Sequence, residues 1–307
     1  RYAIEQGKHV FMETPVAIDA PGIRRVLDTG RVAKEKELCV VTGLQRHYET
    51  KYRELYKKVQ DGSIGKITGG SVYWNSSGVW VRDRKPGQTE MEYQMRNWYY
   101  FNWLCGDHIT EQHVHNIDVA NWFLGEYPVS AQGMGGREVR NGKDTGQIFD
   151  HHFVEFKYAT GAVISSQCRH QQGCWNMVNE TLQGTKGTMN AGPGLIQDLD
   201  GKTVFRHDDE EDPNPYQVEH DELFAAIRKG EIINNTEYTA MSTMSSILGR
   251  MATYSGTMIT MEEALSKGKS IMPDESKLGF QMNPPVMPDA NGYYPVPVPG
   301  TYNPLMT

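Results

Sequence analysis

FDHHFVEFKYATGAVISSQCR, from Phe149 to Arg169, is the stretch that decides the fold of this chain. It contains two runs rich in β-branched and aromatic residues, Phe149–Tyr158 and Ala162–Arg169, joined by a turn with a glycine, a pattern typical of paired strands. Because the connection is short, we expect the two strands to be antiparallel. The same pattern predicts further strands at Val129–Gly133, Asn176–Gln183 and Gly187–Asn190.

The rest of the chain places helices around this sheet. Glu219–Lys229, Tyr238–Thr257 and Met261–Leu265 are predicted to be helical and to cover one face. Near the N-terminus, two short apolar strands at His9–Met12 and Leu38–Gly43 flank a helix opened by Asp19, which predicts a parallel βαβ unit. The predicted fold class is therefore α/β: a partial Rossmann-like βαβ remnant over residues 1–47, then an α+β domain with a large, mainly antiparallel sheet over 48–283. A Pro-rich extended tail follows over 284–307.

Composition narrows the range of partners. The formal net charge is −7, with acidic and basic residues mixed along the chain, so there is no basic stripe for nucleic acid or an anionic membrane. An aromatic content of 10% favours neutral polar ligands such as small-molecule sugars. The four cysteines lack C-x-x-C spacing, which is typical of free thiols in a reducing compartment, with the cytoplasm as the default.

The chemistry-bearing motif is the segment from Gly106 to Asp118. At about 3.6 residues per turn, a continuous helix would place four of its side chains on one side, because residues three and four apart share a face. His113 would point elsewhere. A solvated polar face is the alternative, but the apolar residues that follow indicate burial. The four side chains are His108, Glu111, His115 and Asp118.

Two chemistries are open to these residues. With one strand histidine added, His108, Glu111 and His115 would satisfy the three or four nitrogen and oxygen ligands typical of Zn²⁺ or Mn²⁺. His151 and His152 face opposite sides of a strand, and His152 is the favoured fourth ligand. Without a metal, a carboxylate pair could divide acid and base duties, the candidates being Glu111, Asp118 and Asp107.

The order of several motifs resembles the Gfo/Idh/MocA family of sugar and cyclitol oxidoreductases. The motifs are GKHVFMETP at Gly7–Pro15, GSIG at Gly62–Gly65, and Glu111-x-His113-x-His115-x-x-Asp118 followed by WFLG at Trp122–Gly125. The resemblance extends from Gly7 to about Lys267. It implies an N-terminal Rossmann domain for NAD(P), a C-terminal α/β domain for the sugar, and a catalytic Asp-x-x-x-His pair matched here by Glu111 and His115.

The chain departs from that family pattern in two places. No G-x-G-x-x-G follows a predicted strand, so the loop that would receive the dinucleotide pyrophosphate is not found. The family's Glu-Lys-Pro motif supplies a lysine for proton transfer, whereas this chain has Thr14 between Glu13 and Pro15. Threonine does not titrate near neutral pH. Both departures favour an enzyme in which NAD does not bind.

The leading hypothesis from sequence is therefore a sugar-active enzyme of Gfo/Idh/MocA descent that cleaves glycosides, as hydrolase or lyase, with metal assistance. In it Glu111, His115 and Asp118 are catalytic, and His108, Glu111, His115 and His152 hold the metal. The first alternative is an NAD(P)-dependent sugar or cyclitol dehydrogenase present as an incomplete chain. The second is a sugar-binding protein without catalysis, which is consistent with Thr14.

An incomplete parallel sheet would also leave apolar edges around Val10 and Val40. Monomers rarely expose such edges. We therefore expect a homo-oligomer, or a rearranged N-terminus that covers them.

Overall fold

The structure is a computed structural model that describes residues 1–306. Three short 3-10 turns at Gln45–Tyr48, Trp98–Tyr100 and Glu275–Lys277 accompany the regular elements. The helices are α1 Tyr2–Glu5, α2 Ala20–Glu35, α3 Thr50–Gln60, α4 Glu90–Arg96, α5 Asn102–Cys105, α6 His108–Glu111, α7 Val114–Leu124, α8 Pro215–Lys229, α9 Thr236–Ser255 and α10 Met261–Lys267. The strands are β1 Val10–Met12, β2 Val40–Thr42, β3 Ile67–Ser76, β4 Ser130–Gly136, β5 His151–Lys157, β6 Val163–His170, β7 Met177–Gly184, β8 Gly187–Asn190, β9 Leu195–Asp198, β10 Thr203–Arg206 and β11 Ile259–Thr260.

A large sheet of nine strands organises most of the chain. Its order is β10-β9-β8-β7-β3-β6-β5-β4-β11, and every neighbouring pair is antiparallel except β3 with β6. The predicted hairpin is confirmed, with Phe153 paired to Gln167. Strands β9 and β10 were not expected from the sequence, because their short runs carry little alternation. The predicted α/β fold class, with a large and mainly antiparallel sheet, is confirmed.

The N-terminal βαβ unit forms as predicted. Strand β1 pairs in parallel with β2, Val10 opposite Val40 and Met12 opposite Thr42. Helix α2 connects them, and Asp19 caps it by accepting a hydrogen bond from the Gly22 N–H at 2.8 Å. These residues do not form a separate core. Ala20 and Ile23 of α2 belong to the same buried cluster as the large sheet and α9, so the core continues across the boundary proposed at residue 47.

Helix α9 is the central element of that core. Its buried residues include Met244, Ile247 and Leu248, which are inaccessible to solvent. It packs against β4 and β5 of the sheet, against α2 and against α7. Through these contacts, α9 holds the N-terminal unit and the segment from Gly106 to Asp118 against one face of the sheet.

A second, aromatic core lies beside the first. The last third of the segment from Ser76 to Arg96 is helix α4, which begins at a Thr89–Glu92 capping box. The aromatic run that follows is mostly buried, and the Pro-rich tail contributes Tyr294 to this core. Among the helices of residues 1–306, none is both long and apolar enough to cross a membrane.

Candidate active site on the segment from Gly106 to Asp118

The segment predicted to be one helix is broken in the middle. Helix α6 ends at Glu111, Gln112 and His113 form a turn, and α7 begins at Val114. The prediction of a single continuous helix is therefore wrong. Across the break the side chains have different partners, His108 beside Asp107 and Asp118 beside His47. The predicted common face of His108, Glu111, His115 and Asp118 does not form.

Glu111 ends α6 without a polar partner for part of its carboxyl group. Its Oε2 atom is buried and accepts no hydrogen bond. Burial raises the pKa of Glu111 to about 7, and the neighbouring Tyr99 hydroxyl opposes that rise. The phenol of Tyr99 is itself buried, and its oxygen has no well-formed hydrogen bond. Such a carboxyl group can exchange a proton near neutral pH.

His115 lies in the first turn of α7, and its Nδ1 atom is also buried without a partner. Burial lowers the pKa of His115 to about 3, and the charge of Arg46 acts in the same direction. The imidazole is therefore neutral at physiological pH. The ring of Trp74, on β3, lies 6.2 Å from it between centroids. Glu111 with Tyr99, and His115 with Trp74, thus form two pairs in which an unpaired buried polar atom lies next to an aromatic ring.

Asp118 is occupied by structural partners. Its Oδ2 atom lies 2.8 Å from Nε2 of His47, and its Oδ1 atom accepts a hydrogen bond from Ser242 at 2.7 Å. The His47 ring stacks on Trp122 at 4.1 Å. The predicted catalytic role of Asp118 remains a prediction, and this geometry makes it an anchor between α7 and α9.

His108 and His152 lie together in a buried network centred on Asp107. The Asp107 carboxylate accepts hydrogen bonds from the Tyr254 hydroxyl at 2.5 Å and from the Phe149 N–H at 3.0 Å. It also lies 2.8 Å from Nδ1 of His108 and 3.3 Å from Nε2 of His152. His152 faces inward, as the strand alternation predicted, while the His151 side chain is 42% exposed.

This network does not assemble the predicted metal ligands. Across residues 1–306, the group of side chains whose ligand atoms lie within 4.8 Å of one another is Asp107, His108 and His152. Glu111 and His115 are outside it. The four-ligand set of His108, Glu111, His115 and His152 is therefore not brought together.

One ion pair near the site was not expected from the sequence. Arg46 and Glu180 form a buried salt bridge, and the Tyr52 hydroxyl donates to the second oxygen of Glu180 at 2.8 Å. Asn116, the neighbour of His115, donates to the first oxygen. This pair fixes the start of α7 on β7. The signal available in the sequence was a lone arginine just after the second apolar strand, which is too little to assign a role.

A second cluster lies at the carboxyl ends of β1 and β2. Glu13 follows β1, and a Cβ atom on Gly43, after β2, would lie only 2.3 Å from the Glu13 carboxylate. Glu219 of α8 is 2% exposed, and its Oε2 atom has no partner. Burial raises the pKa of Glu219 to about 7. In open parallel sheets, this edge is where ligands bind.

Sequence comparison agrees with this architecture. Residues 52–190 match the model of the GFO/IDH/MocA C-terminal domain. Inositol 2-dehydrogenase of Rhizobium meliloti is 25% identical over 187 residues, covering 60% of this chain and 50% of that protein. Over residues 52–190 the chain is therefore similar to the C-terminal domain of the Gfo/Idh/MocA family. It spans about half the length of the curated inositol 2-dehydrogenases it matches.

Solved structures share the fold at low sequence identity. The aldose-aldose oxidoreductase of Caulobacter crescentus aligns with a TM-score of 0.66 at 18% identity, over 84% of this chain and 73% of that one. Levoglucosan dehydrogenase, solved with NADH and levoglucosan, aligns with a TM-score of 0.62 at 16% identity, over 84% and 75%.

These relatives overturn two expectations from the sequence. They are dehydrogenases and oxidoreductases, so the prediction of a glycoside hydrolase or lyase is wrong. One of them was solved with NADH, so the prediction of a divalent metal in place of NAD is also wrong. Both expectations rested on Thr14 and on the lack of a G-x-G-x-x-G loop after a strand.

Proposed function

We propose that this chain is part of an NAD(P)-dependent dehydrogenase of sugars or cyclitols, with Glu111 as the group that accepts the proton of the reacting hydroxyl. The observation that carries this proposal is the unpaired, buried carboxyl oxygen of Glu111 beside Tyr99. Buried polar atoms in proteins are almost always satisfied. An unsatisfied acceptor at this place is suited to a substrate hydroxyl.

The carboxyl ends of β1 and β2 fit the nicotinamide end of a dinucleotide. Glu219 holds a buried oxygen without a partner, and the Glu13 carboxylate over Gly43 is an acceptor of the kind that binds ribose hydroxyls. Within residues 1–306, however, neither the loop after β1 nor the loop after β2 carries the G-x-G-x-x-G run that receives a pyrophosphate. When bound, NAD(P) accepts the hydride that leaves the carbinol carbon.

The residues of this chain supply the proton transfer. Oxidation of a ring alcohol to a ketone breaks the C–H bond, whose electron pair leaves as hydride, and breaks the O–H bond, whose proton passes to the Glu111 carboxylate. The neutral imidazole of His115 can orient the same hydroxyl by a hydrogen bond. A pKa of about 7 for Glu111 matches the range in which a general base works best at neutral pH.

Thr14 makes Glu111 more important. In the family pattern a lysine at this position assists the proton transfer, whereas threonine has no titratable group in that range. Of the two proposed site residues Glu111 and His115, Glu111 is the one whose pKa is shifted into the neutral range. The proposal therefore assigns to the Glu111 carboxyl group the proton transfer that the family pattern divides between two residues.

Cofactor reduction tests the proposal. The protein is incubated with NAD⁺ or NADP⁺ and with myo-inositol, glucose or levoglucosan, and reduced nicotinamide is followed by its absorbance. We expect sugar-dependent reduction, and NADH binding detected by its fluorescence. Sugar binding without NADH binding or cofactor reduction would contradict the proposal and favour a sugar-binding protein without catalysis.

We also propose that the protein is a homo-oligomer that binds a small-molecule sugar or cyclitol. Within the described residues β2 is the strand that pairs with β1, and Val10, Met12 and Val40 line an apolar cavity of about 120 Å³ beside this edge. An open apolar edge favours association. Sedimentation velocity would test this, and a purely monomeric protein would contradict it.

A further inference from the structure

We propose that a cavity beside Arg140 binds the carboxylate group of a small polar ligand of the sugar-acid class. The cavity has a volume of about 330 Å³, which is in the size range of small-molecule sites. Two buried polar side chains, Arg140 and His170, belong to its lining, together with Tyr100. Neither Glu111 nor His115 lines this cavity, so the inference is independent of the proposed function.

Arg140 is a buried cation whose hydrogen-bond partners are neutral. The residue is 4% exposed. Its guanidinium donates to the carbonyl oxygen of Phe149 at 2.6 Å and to Nδ1 of His170 at 2.7 Å. Among residues 1–306, no carboxylate accepts a hydrogen bond from this guanidinium. Because an arginine side chain stays charged and a buried charge is costly without a charged partner, a ligand anion is suited to this place.

Two acidic groups lie near Arg140, but donors of their own occupy them. Asp150 accepts the backbone N–H groups of residues 138, 139 and 140 on one oxygen, and its other oxygen lies 2.7 Å from Nδ1 of His151. The partners of Asp107 are those described above. The bonds to Asp150 also fix the backbone at Arg140. The position of the guanidinium is therefore set before any ligand binds, which reduces the entropy cost of binding.

His170 is the second buried polar residue of the cavity lining, and it is neutral. Burial lowers the pKa of His170, and the charges of His108 and Arg140 act in the same direction. Because its Nδ1 atom accepts from Arg140, the ring hydrogen is on Nε2, which donates to Gln112 at 2.8 Å. His170 thus orients the guanidinium without adding a charge of its own.

A second arginine lies behind the cavity wall. The Arg137 guanidinium donates to the hydroxyl oxygen of Thr145, a lining residue, at 2.9 Å. Burial and the charge of Arg140 both lower the pKa of Arg137, as expected for two cations close together. Both arginines favour an anion in the cavity. Since Asp107 and Asp150 are also near, a group with one negative charge fits better than a phosphate dianion.

The mouth of the cavity suits the rest of a sugar acid. Ser77 and Gln172 belong to the lining and are exposed, so their side chains can bond to ligand hydroxyl groups. The ring of Tyr100, whose centroid lies 5.3 Å from the guanidinium carbon of Arg140, supplies an apolar surface. A flat guanidinium forms paired hydrogen bonds with a carboxylate. The cavity therefore combines a charged end for the acid with a polar rim for the hydroxyl groups.

Titrations with acidic and neutral sugars test the inference. Binding of glucuronate, glucose and glucose 6-phosphate is measured by calorimetry at low salt, without NAD(P). Gln172→Glu adds a negative charge at the mouth of the cavity, and Gln6→Glu, outside the lining, is its matched control. Both glutamines are exposed, so we expect both variants to fold.

We expect glucuronate to bind the wild-type chain roughly tenfold more tightly than glucose, in line with one charge-assisted pair of hydrogen bonds. Gln172→Glu should weaken glucuronate binding by about threefold or more through like-charge repulsion and leave glucose binding unchanged, while Gln6→Glu should change neither. Equal binding of glucuronate and glucose, or equal losses in the two variants, overturns the inference. Tighter binding of glucose 6-phosphate than of glucuronate overturns the choice of a carboxylate.

A second pair of variants tests Arg140 itself. Arg140→Lys keeps the charge but loses the paired donors, so the preference for glucuronate should fall to that of a variant without the site. Arg250→Lys is the matched control, because Arg250 is also 4% exposed and donates to backbone carbonyl oxygens, those of Gly106 and Ile18. An unchanged preference in Arg140→Lys contradicts the inference. If Arg140→Lys does not fold, the Gln172→Glu comparison decides. Because no cofactor is present, a failure of cofactor reduction bears only on the proposed function.

Discussion

Helix α6 has a buried carboxyl group at each end. Both are removed from water, but only one of them receives several hydrogen bonds. Asp107 precedes the helix and Glu111 ends it. Burial disfavours the charge of both, yet His152 and His108 hold the pKa of Asp107 well below its usual range, whereas the pKa of Glu111 rises to about 7. The difference shows that the supply of donors, rather than depth, decides which carboxyl group is free for chemistry.

The largest expected effect comes from removing the free carboxyl group. Glu111→Gln keeps the shape of the side chain but cannot accept the substrate proton. If the proposed function is correct, we expect kcat to fall by about 10²–10⁴, the range for loss of a general base. Steady-state cofactor reduction measures it. Glu155→Gln is the control, because Glu155 lies on the face of β5 opposite the buried His152. A rate within about threefold of wild type would end the assignment of Glu111.

Asp107 is expected to act on stability instead. Asp107→Asn removes the negative charge that three buried donors share, the N–H groups of His108 and Phe149 and the hydroxyl of Tyr254. We expect the free energy of unfolding to fall by about 2–4 kcal/mol, because those donors lose a charged acceptor. Urea denaturation at neutral pH measures the change, and the exposed Asp200→Asn is the control. A loss below about 0.5 kcal/mol would show that the network is not a stabilising element.

The pH dependence of stability tests the raised pKa of Glu111. The folded-state pKa of Glu111 is raised above its ordinary value, so the folded state binds the extra proton between about pH 4.5 and 7. The wild-type chain therefore loses stability as the pH rises through this window. Glu111→Gln lacks this pH-dependent loss. We therefore expect the free energy of unfolding of the variant to rise by about 1–3 kcal/mol relative to wild type as the pH rises from 5 to 8. Equal pH profiles for the two chains would contradict the raised pKa.

The smallest expected effect is a difference in unfolding free energy between variants of two buried tyrosines. Tyr254 donates its hydroxyl hydrogen to Asp107 at 2.5 Å, whereas the Tyr99 hydroxyl has no well-formed hydrogen bond. Tyr254→Phe should cost about 1–3 kcal/mol of unfolding free energy, and Tyr99→Phe less than about 0.5 kcal/mol. Thermal or urea unfolding of both variants measures the pair. An equal cost for both would mean that Tyr99 has a partner in solution.

Much of the architecture could be predicted from the sequence. The alternating pattern around Phe153 and Gln167 predicted the central hairpin, and Asp19 predicted the start of α2. Strands β9 and β10 were missed because short edge strands have weak alternation, and α4 was missed within a polar segment. The break in the helix at Gln112 was missed because its neighbours form good helical spacing, and the tertiary contact of His113 with Ser166 on β6 overrides that local preference.

The catalytic roles of Glu111 and His115 stay predictions, made from residue type and from the resemblance to the family's catalytic pair. Tyr99, Trp74 and the Arg46–Glu180 pair were not predicted, because they come from other elements that only the fold brings near. The structure places His108 and His152 together, with Asp107 and not Glu111 beside them. Ligand chemistry can be read from residue types, whereas distance cannot.

The sequence by itself determined the alternating sheet and the identity of the titratable residues, because these depend on residue type and periodicity. Only the tertiary structure decided which of those residues have hydrogen-bond partners for their buried polar atoms. Asp107 and Asp118 received donors from Tyr254, His47 and Ser242, while Glu111 was left with a buried oxygen unpaired. That assignment depends on contacts between segments far apart in the chain, and those contacts set the energy of each charge.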